Sequence, residues 1–246
     1  MSWLCRRIII NSKIKESKIN TETTPISITV DASIIDAAIC AASKEDTRYY
    51  LRGVFLDARG FVAATNGHLV FAARCSDAFK LAGIAPTYLS DALAGIIIPR
   101  DTIAQASKAA GKSRGVHITV DRDMLGQWWI TYGNARVAFA PVDGSFPDWT
   151  RVVPQAPDAL VAAHYDHLYL TALGRMAQAL HDGKKSASTM FRLHQNGDNP
   201  ALVTFASSDG GILTNCCAVL MPIRTKDDEY ATGSDFTDCF IGNAST

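Results

Sequence analysis

The segment Ile26-Ser-Ile-Thr-Val-Asp-Ala-Ser-Ile-Ile-Asp-Ala-Ala-Ile-Cys-Ala-Ala42 changes its period partway along. Over 26–30 apolar and polar residues alternate, the pattern of a strand with one buried face. Further on, Ile34, Ile35, Ala38, Ile39 and Ala42 share one face of a helix, with Asp31 or Ser33 available as its N-cap. After Arg48-Tyr49-Tyr50-Leu51 comes Gly53-Val-Phe-Leu56, a turn at Asp57-Ala-Arg-Gly60, and then Phe61-Val-Ala-Ala64. Turn residues between two apolar runs predict a hairpin. The unit is therefore strand, helix, then antiparallel strands.

The same unit recurs twice. Its second copy opens with Gly95-Ile-Ile-Ile-Pro99, and a helix is expected from Asp101 as N-cap to Gly111 as terminator. Strands follow at 116–120, 127–131 and 135–140, with Tyr132-Gly-Asn134 as a turn. The third copy begins near Leu160, with a helix over 165–181 that carries Leu168, Ala172, Met176 and Leu180 on one face and stops at Asp182-Gly183. Strands are expected at 190–193, 201–206 and 211–223. Repetition of one supersecondary unit argues for an assembly of modules and against a single enzyme core. The predicted class is α+β, with helices on one face of mainly antiparallel sheets.

The two ends have another character. Residues 1–25 and 225–246 show no sustained period, and the second stretch is acidic; both read as extensions. The chain has 246 residues, with 24 basic and 24 acidic side chains. A binder that relies on a global basic excess is excluded, whereas a local basic surface is not. No run of 18 or more apolar residues is present, so no membrane-crossing helix is expected. The apolar patch at Ile8-Ile-Ile10 is too short for a signal peptide, which predicts a cytoplasmic protein. The six cysteines lack zinc-ligand spacing, and in a reducing compartment they read as small buried side chains. His164 and His167 have no third ligand nearby. Neither a metal nor a cofactor is expected, and the motifs of nucleophile elbows, phosphate loops and dinucleotide sites are missing.

Basic residues cluster on or near the predicted helices: Lys44 and Arg48 at the first, Lys108, Lys112 and Arg114 along the second, Arg175, Lys184 and Lys185 on and after the third. They either line one phosphate-binding surface or are ordinary solvated helix residues.

Three strings are more specific. They are Asp46-Thr-Arg-Tyr-Tyr-Leu-Arg-Gly53, Ala64-Thr-Asn-Gly-His-Leu-Val-Phe-Ala72 and Val142-Asp-Gly-Ser-Phe-Pro-Asp-Trp-Thr-Arg-Val-Val-Pro154. In order and spacing they resemble the middle domain of bacterial replicative sliding clamps, the beta subunit of DNA polymerase III. Val219-Leu-Met-Pro-Ile-Arg224 resembles the segment with which those clamps normally end. The resemblance covers 26–224 and implies a DNA-clamp fold. It divides the chain into a clamp domain of two modules at 26–155 and half of another at 156–224. Asn66 stands where the family has an aspartate, and Leu69 where it has an arginine.

The resemblance also implies a function without chemistry: a processivity factor whose helices face duplex DNA and whose outer surface holds partner proteins. Arg48, Tyr49 and Tyr50 match family positions at the DNA-facing end. A peptide pocket is implied at Leu51, Thr65, Gly67, His68, Leu69, Pro147, Arg151, Val152, Val219, Met221, Pro222, Ile223 and Arg224, for short linear motifs of polymerase and clamp-loader subunits. Leu69 is expected to make one pocket wall less polar. A half domain leaves a sheet edge unpartnered, so homo-oligomerisation through the third module is expected. The alternative reading is a non-encircling module that competes for, or recruits, clamp-binding proteins.

Overall fold

The computed structural model describes residues 26–75, 95–113, 115–154, 163–181, 189–206 and 211–224. The first copy consists of β1 (Ile26–Asp31), α1 (Ala32–Ala41), β2 (Gly53–Asp57), β3 (Phe61–Thr65) and β4 (Leu69–Arg74). The second runs β5 (Gly95–Pro99), α2 (Arg100–Ala110), β6 (His117–Arg122), β7 (Trp128–Tyr132) and β8 (Ala135–Phe139). The third holds α3 (His167–Leu180), β9 (Phe191–His194), β10 (Ala201–Phe205) and β11 (Cys216–Leu220).

The first two copies exchange their opening strands. β1 pairs with β6, giving a four-stranded sheet in the order β1-β6-β7-β8. β5 pairs with β2 in a seven-stranded sheet, β5-β2-β3-β4-β11-β10-β9. The third copy thus continues the sheet of the first through the β4–β11 ladder. Each of these strand pairs is antiparallel.

Alternation along the large sheet separates two cores. Val54, Leu56, Val62, Ala64, Leu69, Phe71 and Ala73 join the helix-side core, where α1 packs on β3 and β4 and against α3. Phe55, Ala63, Val70, Ala72, Ile97 and Val219 point the other way, under Phe146 and Trp149 of the segment that follows β8. The Phe55 and Phe146 rings stack at 4.7 Å. Burial on both faces explains why β2 and β4 read as continuous apolar runs without alternation.

Helix ends depart from expectation in three places. Asp31 flanks α1 but makes no capping bond; its carboxylate meets His117 Nδ1 at 2.9 Å. Asp101 is not the cap of α2, which starts at Arg100 behind Pro99; proline already has the φ that a helix entry needs. Leu168 does not face the core: it is 62% exposed, and the buried residues of α3 are Leu173, Met176 and Ala177. The C-terminus of α1 is closed from a distance, the Arg100 guanidinium donating to Ile39 O at 2.6 Å and Ala42 O at 3.1 Å. Gly111 ends α2 with φ 53°. The strand expected near Leu160 lies outside the described residues, and the run expected over 211–223 is a strand only at Cys216–Leu220.

Candidate functional site

A groove of about 250 Å³ opens on the side of the large sheet away from α1. Four parts of the chain build it: the 3-10 turn Tyr49–Leu51, the β3–β4 turn, the segment around Trp149, and the end of β11. Its walls are apolar where Leu51, Val70, Pro147, Trp149, Val152, Val219 and Met221 meet, and polar at Arg48, Thr65, His68 and Asp148.

The β3–β4 turn is held rigidly. Thr65 Oγ1 accepts from Gly67 N at 3.0 Å, and Asn66 Oδ1 accepts from both His68 N and Leu69 N at 2.9 Å. The Asn66 side-chain amide oxygen thus serves as the acceptor for two backbone donors of the turn. Gly67 has φ 94°, a left-handed backbone conformation that calls for glycine. Met221 N donates to His68 O at 2.9 Å, which ties the end of β11 to this turn. On the opposite wall Asp148 accepts from Thr150 Oγ1 at 2.6 Å and Thr150 N at 3.2 Å; the hydroxyl bond foremost holds its carboxyl below the usual range. Trp149 Nε1 is buried without a hydrogen-bond partner.

Eight of the residues expected in the pocket converge here: Leu51, Thr65, Gly67, His68, Pro147, Val152, Val219 and Met221. Five do not line it. Leu69 is fully buried in the helix-side core, because neighbours on a strand face opposite sides; Val70 takes the wall position, so the predicted loss of polarity at Leu69 does not arise. Arg151 is exposed on the turn beyond Trp149. Past Met221 the chain bends away, Ile223 bridging His164 with its N–H on His164 O at 2.7 Å, so Pro222, Ile223 and Arg224 leave the groove. Val70 and Trp149 were missed by motif matching, although strand alternation from Ala63 and Ala72 would have indicated Val70.

Of the residues expected to meet DNA, Arg48 and Tyr50 line the groove, and Tyr49 stands exposed beside Tyr50 with ring centroids 5.7 Å apart. Lys44, Arg48 and Arg175 also border a second hollow of about 700 Å³ between α1 and α3, together with Arg100 and Glu45. His68 borders both spaces and stacks on Tyr169 of α3 at 5.7 Å. Lys108 and Lys112 are exposed at the far end of α2, outside this cluster. Arg114, Lys184 and Lys185 lie outside the described residues. Among the described residues no three His, Cys, Asp or Glu side chains gather to hold a metal ion, and no helix is long and apolar enough to cross a membrane.

Repeated strand–helix–strand modules, two of them joined edge to edge in one sheet by the β4–β11 ladder, and helices packed in one core define an α+β protein of the DNA-clamp fold. The family model for the DNA polymerase III beta subunit, central domain, matches residues 26–148, and the chain belongs to that family. It is 28% identical over 154 residues to the beta sliding clamp of Caulobacter vibrioides, covering 58% of this chain and 37% of that protein. With the beta sliding clamp of Pseudomonas aeruginosa the identity is 32% over 140 residues, 55% of this chain and 35% of the relative. The aligned stretch is thus little more than a third of the curated relatives' length. Among solved structures, a DNA polymerase sliding clamp from Pseudomonas aeruginosa aligns with TM-score 0.57 at 18% identity, over 81% of this chain and 66% of the other. One from Caulobacter crescentus aligns with TM-score 0.52 at 20% identity, over 82% and 67%.

Proposed function

We propose that this chain is a clamp-like processivity factor that does no chemistry and holds replication proteins through the groove between Leu51, Val70, Trp149 and Met221. The observation that carries this reading is the convergence of residues from 48–51, 65–70, 147–152 and 219–221 on one apolar hollow. Apolar walls take leucine or phenylalanine anchors, and Arg48 and His68 at the rim suit a peptide's carbonyls or carboxylates. The partners proposed are duplex DNA, bound through Lys44, Arg48 and Arg175 on the helix side, and polymerase and clamp-loader subunits carrying short linear motifs. Phosphate contacts without base contacts suit a protein that slides. Residues 26–155 act as one clamp domain and 156–224 as half of a second.

A specific observation also supports the non-encircling reading: one chain supplies every wall of the groove, so peptide capture needs no closed ring. A fluorescent pentapeptide of the clamp-binding type, with Leu and Phe anchors, separates binding from none. It is expected to bind the wild type and to fail on Met221→Glu, whose charge would sit unpaired against apolar walls. Equal binding to both proteins, or to neither, would overturn the proposal. Retention on closed but not linearised circular DNA then decides between encircling and non-encircling forms.

A further inference from the structure

The small sheet ends at β8, which among the described residues pairs only with β7. We propose that β8 pairs with β8 of a second copy of this chain about a two-fold axis at Val137, giving a closed dimer with a continuous eight-stranded sheet. The inference is independent of the groove reading.

The backbone fixes which groups are free. β7 and β8 are joined by the two-residue turn Gly133–Asn134, with Gly133 at φ 59° and Tyr132 opposite Ala135. In such a hairpin the flanking pair exchanges both backbone bonds, and alternation then turns the N–H and C=O of Arg136 and Ala138 outward. A two-fold at Val137 sets Arg136 opposite Ala138 of the partner copy, and these outward groups form reciprocal bonds on both sides of the axis.

Side chains agree with this register. Ala135, Val137 and Phe139 face the helix-side core, yet Ala135 and Val137 remain half-buried. Pairing lays small Ala135 against large Phe139 of the other copy and covers Val137 with its equivalent. On the outer face Arg136 lies over the Trp129 ring at 4.7 Å and bonds Asp121 at 2.6 Å, so it meets only the methyl group of Ala138.

The other edges fit less well. β1 gains nothing, since Ile28 and Val30 are already 0% and 2% exposed. β5 is partly covered, because Val142 N donates to Ile97 O at 3.0 Å. At β9 the outer-face residues are Arg192 and His194; a two-fold at Arg192 sets guanidinium against guanidinium, and one at either end of this four-residue strand leaves few residues paired. Pairing β8 with β9 so that Arg136 stands opposite Arg192 does the same. Like charges directly opposite are unfavourable. A β8 two-fold avoids them, and because it is isologous it closes at two copies.

Sedimentation equilibrium on the full chain tests this. The wild type is expected to be a monomer–dimer system. Ala138→Arg, which sets the introduced guanidinium against Arg136 of the partner copy twice per dimer, is expected to weaken it by about tenfold. Ala138→Glu supplies an opposite charge at the same exposed site and is expected to match or tighten the wild type. Thermal melts followed by circular dichroism check that both variants fold. A monomeric wild type, a dimer indifferent to Ala138→Arg, or equal weakening by both substitutions would overturn the proposal.

Discussion

Leu69 and Val70, consecutive in β4, serve opposite sides of the seven-stranded sheet: Leu69 fills the core against the helices, and Val70 forms a wall of the groove. Their substitutions should therefore separate folding from binding. Leu69→Arg should cost about 4 kcal/mol or more, or prevent folding, since the charge has no partner in this core. Val70→Ala should leave the chain folded, at a cost of about 1–2 kcal/mol, and weaken pentapeptide binding by roughly tenfold. Urea unfolding and fluorescence anisotropy on the same samples measure both. Similar effects of the two variants on stability would contradict the assignment of faces.

Tyr132 ties the small sheet to α1. Its ring is fully buried in β7, and its hydroxyl donates to the Asp36 carboxylate of α1 at 2.9 Å. A hydrogen bond to a charged group is worth about 1.5–3 kcal/mol, so Tyr132→Phe should lower unfolding stability within that range. Peptide binding, read at temperatures where the variant is folded, should not change. A neutral effect on stability would show that water replaces the hydroxyl at Asp36.

Much of this architecture was legible in the sequence. Alternation gave β1, turn residues gave the β2–β3 hairpin, and Gly111 marked the end of α2. What failed had physical causes. A stripe taken at every fourth residue drifts by about 40° per step around a helix, so Leu168 leaves the face that Met176 occupies. Asp101 resembled a cap because capping residues are also favoured in a helix's first turn. Within the groove, motif matching named Thr65, Gly67, His68 and Leu69, whereas a strand offers only alternate residues to one side. Nothing local announced the bridge between His164 and Ile223 that carries Arg224 away.

Arg48 borders both the groove and the hollow between α1 and α3. Arg48→Ala should therefore weaken pentapeptide binding and also lower the salt dependence of duplex binding by about one unit of slope. Lys108→Ala, at the distant end of α2, should reach at most the DNA term. Titrations of one duplex at several salt concentrations, alongside peptide anisotropy, distinguish them. If Arg48→Ala changes neither measurement, the guanidinium takes part in neither surface.

The Cys75 and Cys216 thiols are pushed up to about 12 from the ordinary thiol value of 9.0, by burial before all else. The folded chain keeps these protons where the unfolded chain releases them, so the contribution is fully present below pH about 9 and is lost as pH rises towards 12. Unfolding stability measured from pH 8 to 11 should fall, and fall less steeply in the double variant Cys75→Ala, Cys216→Ala. Parallel slopes would mean that neither thiol is shielded as described. Both should also react slowly with a thiol reagent at pH 8 until urea is added.

The β4–β11 ladder places Leu69 opposite Leu220 and Cys216 opposite Ala73. Contacts so distant along the chain are slow to form, and during synthesis they wait for nearly all of the described residues to leave the ribosome. The exchange of opening strands between the first two copies is complete once β8 has emerged, so that portion is free to fold first. Val219 and Met221 arrive last and finish the groove. A nascent or C-terminally nicked chain would thus hold the first two copies with an unfinished groove, and on the proposed function partner recruitment would report that the whole described chain has been made.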